Sequence, residues 1–126
     1  MLGSILIIED HPVHAKLFGD MLRVHGHTSM VAATGSTGLI LAQEMEPAVI
    51  VVDIKLPDVD GREVIARLRA DPATRHIPVL AISAMADNGL QDDCTLAGAD
   101  RFVSKPISLH AFTGAVTQLR DAPRWR

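Results

Sequence analysis

The chain is poor in the residues that mark disulfide-bonded, membrane-spanning and flavin-binding proteins. Its single cysteine, Cys94, excludes an internal disulfide and fits the reducing cytoplasm, where we expect the protein to work. No apolar run is long enough to span a bilayer, and segment 1–8 lacks the basic start and long apolar core of a signal peptide. Aromatic residues make up 3% of the chain and tyrosine is absent, so little is available to stack on a flavin ring.

Charge and length further restrict the classes of protein to which the chain can belong. The formal net charge is −3, so nothing in the composition indicates a nucleic-acid partner. A chain of 126 residues that is 48% hydrophobic and 21% charged can bury a real core, but it is too short for two domains of ordinary size. We expect one domain over residues 1–120, followed by a loosely attached tail at residues 121–126.

Short apolar runs alternate with helical patterns along the chain. The runs predict strands at residues 4–8, 28–32, 49–53, 78–83 and 101–104. Capping residues and apolar residues at helical spacing predict helices at residues 12–26, 34–45, 61–70, 87–98 and 108–119. Such alternation indicates right-handed βαβ units, and therefore a doubly wound α/β fold around a parallel five-stranded sheet.

Polar side chains stand where the predicted strands end. They are Glu9 and Asp10 after the first strand, Asp53 at the end of the third, Ser83 at the end of the fourth and Lys105 after the fifth. Because parallel strands present their carboxyl ends at one edge of a sheet, we expect these side chains to converge. Three carboxylates close together repel one another unless a cation neutralises them. Oxygen ligands, without Cys or His at the strand ends, indicate Mg²⁺ rather than zinc.

This set of groups can support phosphoryl transfer. A carboxylate such as Asp53 can attack a phosphoryl group, and the charge of the transfer must then be spread over a metal, an amine and hydroxyl donors. Lys105 would supply the amine and Ser83 the hydroxyl. Each residue also has an ordinary alternative: Asp10 could cap the first helix, Ser83 could simply end a strand, and Lys105 could be a solvated loop charge. Their joint placement at strand ends favours the functional interpretation.

These residues and their neighbours resemble a known family. The motif positions are Glu9-Asp10, Asp53 with the following Ile54-Lys55-Leu56-Pro57 and then Gly61, Ser83-Ala84, and Lys105-Pro106. They are similar to the receiver domain of bacterial two-component response regulators over residues 4 to 119. The resemblance implies a flavodoxin-like (βα)5 fold with strand order 2-1-3-4-5 and Asp53 as the phosphoacceptor. It also implies a signalling protein, not an enzyme, that catalyses only its own phosphorylation and dephosphorylation.

The resemblance implies the metal ligands as well. It makes Asp10 and Asp53 direct ligands of Mg²⁺, places Glu9 behind a water molecule and adds the backbone carbonyl of Lys55. These roles depend on the resemblance, whereas the expectation of a divalent cation comes also from the carboxylates themselves.

A conformational switch is implied by the same resemblance. Ser83 and Lys105 would hold phosphoryl oxygens, and Phe102 matches an aromatic position whose ring turns inward as the hydroxyl residue moves toward the phosphate. Many members carry threonine in place of Ser83 and tyrosine in place of Phe102, so any contact through a phenol oxygen is lost here. Met85 is an apolar side chain that we expect to affect the access of water to the acyl phosphate.

The partners are expected to be proteins. The sequence after residue 120 is too short for an output domain, so the chain resembles the stand-alone receivers. Lys16-Leu17-Phe18 and segment 104–108 resemble the DivK-type cell-cycle regulators, which implies a phosphorelay shuttle or an allosteric partner of histidine kinases. A phosphorylation-dependent homodimer is also compatible with the family. The predicted contacts for a histidine kinase or histidine phosphotransfer protein are His11, Val13, Pro106 and Ile107.

Alternatives remain open at this point. Val13 and Ile107 could pack against their own helices instead of a partner. The domain could be a phosphate-independent interaction module, although the intact acidic and basic residues speak against it. It could also be a flavin-binding protein or a phosphatase on the same fold. A phosphatase with an aspartate nucleophile would want a second acid just beyond it, where Lys55 stands.

Several histidines and arginines have simpler interpretations. His11 and His14 lie about 20 Å along the first helix from His25 and His27, so the four cannot form one metal site. His14 could influence the mouth of the site, but a polar surface residue needs no function. The arginines of the third helix are predicted to form a solvated basic face.

Overall fold

Five strands alternate with five helices, as the sequence predicts, in a computed structural model that describes residues 3–84 and 88–122. The predicted bounds differ from the observed ones by one or two residues at most. Asp87, a predicted helix cap, Met85 and most of the predicted tail lie outside the described residues. The elements are β1 (Ile5–Ile8), α1 (Pro12–Val24), β2 (Ser29–Ala32), α2 (Gly35–Met45), β3 (Val49–Asp53), α3 (Gly61–Ala70), β4 (Val79–Ser83), α4 (Asn88–Ala97), β5 (Arg101–Ser104) and α5 (Leu109–Asp121).

All five strands pair in parallel in the order β2-β1-β3-β4-β5, which confirms the predicted topology. In the register, Ile8 of β1 stands opposite Val52 of β3, and Ser83 of β4 stands opposite Ser104 of β5. The last residues of these strands therefore lie at one edge of the sheet. The order in which strands are added to the sheet reverses between β1 and β3, and open α/β sheets form a crevice at such a point.

The sheet is buried on both faces. Alternate strand side chains pack on one face under α2, α3 and α4, and on the other face under α1 and α5. This explains why β1, β3 and β4 are continuous apolar runs with every residue buried, whereas three of the four residues of the edge strand β2 are exposed. Cys94 lies fully buried in the first of these cores, as a small apolar side chain would.

Side chains fix the starts of three helices. Thr34 caps α2 by accepting a hydrogen bond from the Thr37 N–H, and Ser108 caps α5 by accepting one from the Ala111 N–H. Asp60 caps α3 in the same way. Helix α1 instead begins with Pro12 after His11, whose side chain makes no capping hydrogen bond. The alternative interpretation of Asp10 as the cap of α1 is therefore wrong.

The loop between β3 and α3 depends on Gly61. A Cβ atom at this position would lie 2.5 Å from the Asp53 carbonyl oxygen and 2.6 Å from the Ile54 Cα, and backbone atoms cannot yield as a flexible side chain can. The Gly61 N–H also donates to the Ile54 carbonyl at 2.8 Å. The glycine therefore lets α3 begin directly against the end of β3.

The basic residues of α3 are not all solvated, and the prediction of a solvated face is wrong for Arg69. Its guanidinium contacts Asp100 at 2.8 Å, and the two side chains are only 16% and 12% exposed. It also donates to the carbonyls of Gly98, Arg75 and Ile77. These bonds tie the end of α3 to the segment that leads into β5.

Within residues 3–84 and 88–122, no helix combines the length and the apolar character needed to cross a membrane.

Candidate functional site

A cleft of about 850 Å³ opens at the carboxyl edge of the sheet. The structure brings all five predicted strand-end side chains to its wall. The loop segment 54–57 and residues at the beginnings of α1, α3 and α4 also line the cleft. The five residues are Glu9, Asp10, Asp53, Ser83 and Lys105.

Three carboxylates of this cleft can converge on one cation. Glu9, Asp10 and Asp53 each offer an oxygen, and the three oxygens lie within 4.8 Å of one another. Glu9 and Asp53 are 2% and 5% exposed, whereas Asp10 faces the solvent. Lys55, whose carbonyl is the fourth predicted ligand, lines the same cleft. A set made only of oxygen atoms suits a hard divalent cation such as Mg²⁺.

Lys105 is the cation that the chain itself provides. Its Nζ lies 3.0 Å from Asp53 Oδ2 and 3.1 Å from Glu9 Oε1, and the side chain is 15% exposed. Burial alone would lower the pKa of Lys105, but its hydrogen bonds to Asp53 and Glu9 outweigh burial and raise the pKa. The amine therefore stays charged, and its single positive charge leaves the group of three carboxylates with excess negative charge.

Glu9 has a raised pKa in this environment. Burial, together with a hydrogen bond and repulsion from Asp53, raises the pKa of Glu9 to about 7, although the His11 N–H and Lys105 act against this. A divalent cation at the three carboxylates would favour the ionised form and bring the pKa down again.

Asp53 is held in a fixed orientation. The Lys55 N–H donates to Asp53 Oδ1 at 3.0 Å, while Lys105 donates to Oδ2. The backbone of Lys105 is in turn fixed, because its N–H donates to the Ser83 carbonyl at 2.8 Å. The nucleophile candidate, the amine and the hydroxyl residue are thus joined through two adjacent strands, β3 and β4, and the loop that follows β5.

The two switch candidates lie on β4 and β5. The Ser83 side chain lines the cleft and the residue is 5% exposed. Phe102 is half-buried on β5 and packs against the core beneath α2, α3 and α4.

The predicted docking residues differ in exposure. Val13 is 67% exposed, so it does not pack against its own helix, and His11 and Pro106 are exposed as well. Ile107 is half-buried against the core beneath α1 and α5, which matches the alternative interpretation. The surface beside the cleft is therefore formed mainly by the start of α1.

Reasoning from the sequence placed His14 near the mouth of the site but did not find its contact with Lys105, and it did not find Arg62 at the cleft. The Nδ1 atom of His14 lies 3.1 Å from Lys105 Nζ. Arg62 also lines the cleft, where it donates to both Asp60 and Asp93 and so connects the start of α3 to α4. The position of His14 in the first turn after Glu9-Asp10 was the available signal, whereas the partner of Arg62 lies 31 residues away on α4.

Comparison with known proteins agrees with this geometry. The family model described as the response regulator receiver domain matches residues 5–117. The polar-differentiation response regulator DivK of Brucella ovis is 38% identical over 123 residues, which cover 97% of this chain and all of that protein. The DivK of Brucella anthropi is similar to the same extent.

Solved structures share the fold over nearly the whole chain. A Chloroflexus aurantiacus chain assigned as a response regulator has a TM-score of 0.92 at 25% identity, covering 97% of this chain and 100% of its own. The receiver domain of a sensor histidine kinase from Pseudomonas aeruginosa has a TM-score of 0.88 at 26% identity, with the same coverage. That structure has a magnesium ion coordinated in its active-site cleft.

Proposed function

Because the chain belongs to the receiver-domain family of two-component response regulators, we propose that Asp53 accepts a phosphoryl group in a Mg²⁺-dependent reaction. The donor is a phosphohistidine of a histidine kinase or of a histidine phosphotransfer protein. The observation that carries the proposal is the contact of one half-buried amine, Lys105 Nζ, with both Asp53 and Glu9 beside a third carboxylate. We propose residues 1–120 as the receiver domain.

The transfer follows from the way Asp53 is held. One carboxylate oxygen attacks phosphorus while the bond from phosphorus to the donor imidazole nitrogen breaks, and that nitrogen keeps the electron pair. The Lys55 N–H and Lys105 orient the carboxylate from either side, which reduces the number of unproductive orientations. Lys105 and the Ser83 hydroxyl then hold the negative oxygens of the transferred group.

The donor set supports Mg²⁺ as the cation. Asp10 and Asp53 are the proposed direct ligands, Glu9 acts through a water molecule, and the Lys55 carbonyl completes the protein ligands. When bound, Mg²⁺ supplies the positive charge that neutralises the carboxylates and the transferred group. The raised pKa of Glu9 fits this role, because it comes from burial first and then from the neighbouring Asp53 carboxylate, both of which a bound cation would offset.

The output is proposed to be protein contact. Movement of Ser83 toward a phosphoryl group on Asp53 would free space that the Phe102 ring can enter, which would alter the surface of α4, β5 and α5. Leu96 on α4 is 85% exposed and offers an apolar contact on that surface, whether for a target or for phosphorylation-dependent pairing of two chains. A cytoplasmic location fits the buried free thiol of Cys94.

The donor is proposed to dock beside the cleft on the start of α1. Val13 and His11 provide exposed contact area there, and Pro106 adds to it from the loop after β5. Ile107 offers a smaller exposed area. An apolar patch next to a negatively charged cleft suits a partner that presents a histidine to Asp53.

Intact mass spectrometry tests the proposal. We expect the protein to gain one alkali-labile phosphoryl group on incubation with acetyl phosphate and Mg²⁺, and to gain none with EDTA. The variant Asp53→Asn is nearly isosteric and should remain unmodified. The proposal is contradicted if the wild-type chain gains no such group, or if Asp53→Asn gains it at the wild-type rate.

A further inference from the structure

His14 has no part in the proposed transfer, yet it contacts the ammonium group of Lys105 in the cleft. Its Nδ1 lies 3.1 Å from Lys105 Nζ. The imidazole is held on two sides, because it stacks on the His11 ring with 4.1 Å between centroids and packs against the Phe18 ring at 6.3 Å. The acceptor atom is therefore presented to Lys105 in a fixed direction.

The hydrogen bonds of Lys105 determine what His14 does in this contact. An ammonium group has three N–H donors and no acceptor. Its three partners are Glu9 Oε1, Asp53 Oδ2 and His14 Nδ1, at 3.1, 3.0 and 3.1 Å. The imidazole must therefore accept, which requires a neutral ring with its proton on Nε2. With His14 in place, each donor of the amine has an acceptor from the chain.

We propose that His14 is a positioning residue, which accepts a hydrogen bond from Lys105 and thereby holds the ammonium group against Asp53. This role rests on the proposed function. The side chain of Lys105 has a flexible four-carbon stem and loses considerable conformational entropy when its amine is fixed. Glu9 and Asp53 attract the amine toward the floor of the cleft, while His14 contacts the amine from the solvent side. The His14 side chain is 40% exposed, whereas that of Lys105 is only 15% exposed.

A pair of isosteric variants separates the acceptor atom from the bulk of the ring. His14→Asn places an amide oxygen at about the position of Nδ1, whereas His14→Leu has a similar shape and no acceptor. His25→Leu, on an exposed histidine just beyond the other end of α1, is the matched control. Unchanged backbone amide spectra would establish that all three variants fold.

The first readout is the side-chain ammonium signal of Lys105 in proton–nitrogen NMR, which needs no phosphoryl donor. The chain has three lysines, so substitution of Lys16 and Lys55 assigns the signal. We expect hydrogen exchange at Lys105 to be about tenfold faster in His14→Leu, the factor that corresponds to one ordinary hydrogen bond. In His14→Asn and His25→Leu it should stay near the wild-type rate.

The second readout is the initial rate of phosphorylation by acetyl phosphate, with the Mg²⁺ dissociation constant measured by NMR titration. We expect about a five- to tenfold loss of rate in His14→Leu and recovery of most of it in His14→Asn, as expected for the loss and return of one hydrogen bond. Affinity for Mg²⁺ should stay within about twofold, because the carboxylates that supply it are unchanged.

Wild-type exchange of the Lys105 ammonium in His14→Leu would overturn the inference. Equal losses in His14→Asn and His14→Leu would overturn it too, since the bulk of the ring and not its acceptor would then matter. Failure of the wild-type chain to accept a phosphoryl group would instead contradict the proposed function, and the exchange measurement tells the two failures apart.

Discussion

Two mostly buried groups of charged side chains stand at opposite ends of the sheet, and they differ in the charges that they bring together. At the amino end, Arg69 contacts Asp100, and the same carboxylate accepts a hydrogen bond from the Val79 N–H. At the carboxyl end, the single amine of Lys105 faces Glu9 and Asp53, with the Asp10 carboxylate close by. Both regions use side chains that are mostly removed from solvent, but at the carboxyl end three carboxylates gather around one amine.

The difference separates a structural contact from a reactive one. Arg69 also donates to three backbone carbonyls, so its donors are used within the chain and the pair has no charge left for a ligand. At the carboxyl end, burial together with a hydrogen bond and repulsion from Asp53 raises the pKa of Glu9 to about 7, and the surplus of carboxylates makes a bound cation favourable. Uncompensated charge at a strand end, more than the ion pair itself, marks the functional site.

Removal of the Lys105 amine at the carboxyl end of the sheet should have the largest effect on the phosphorylation rate. We expect Lys105→Met to lower the phosphorylation rate by about a hundredfold or more, the usual cost of losing one donor to a transferred anionic group. Its effect on stability should be smaller than that of Asp100→Ala, because Glu9 can take up a proton. Acetyl phosphate kinetics and urea unfolding measure the two effects, with Lys16→Met as the exposed control. A Lys105→Met protein that reacts at the wild-type rate would contradict the role of the amine.

The amino-end pair should instead matter for stability. Asp100→Ala removes the carboxylate that contacts the mostly buried guanidinium of Arg69 and that accepts from the Val79 N–H, so we expect a loss of about 2–3 kcal/mol in the free energy of unfolding. Urea unfolding measures the loss. The control is Asp20→Ala, which removes one member of the exposed ion pair between Asp20 and Arg23 and should change the stability little. The reaction rate of the folded variant should be unaffected. If Asp100→Ala slows phosphorylation as strongly as Lys105→Met does, the purely structural role of the Arg69–Asp100 pair is contradicted.

The smallest effect concerns pH in the metal-free protein. The pKa of Glu9 rises from an ordinary value near 4.5 to about 7 on folding, so the folded state binds the proton more tightly. The stability from this group is fully present below pH 4.5 and is lost as pH rises through 7, by about 1–3 kcal/mol. Urea unfolding in EDTA across this range measures it, as the difference between wild type and Glu9→Gln. Parallel profiles for the two proteins would contradict the raised pKa.

Topology and strand positions were predictable because they follow from local patterns. The apolar runs of β1, β3 and β4 carry a strong signal, since both faces of these strands are buried. Parallel pairing then places the ends of β1 and β3 at one edge, so the meeting of Glu9 with Asp53 follows without further information.

Contacts between distant side chains were not predictable in the same way. His14 and Lys105 are 91 residues apart, and their contact depends on the rotamer of a long side chain. The pairing of Arg69 with Asp100 spans 31 residues, so the helical pattern of α3 alone suggested a solvated face. Periodicity tells which face of an element is buried, but not which partner a charged group at the rim of that face will find.

The most direct test of the account is to locate the phosphoryl group in the chain. Treatment of the phosphorylated protein with borohydride reduces the acyl phosphate to an alcohol, and peptide mass spectrometry then identifies the modified residue. We expect one reduced side chain, at Asp53, which is absent when Mg²⁺ is withheld. Modification at Asp10 or Glu9 instead, or at a carboxylate outside the cleft such as Asp100, would contradict it.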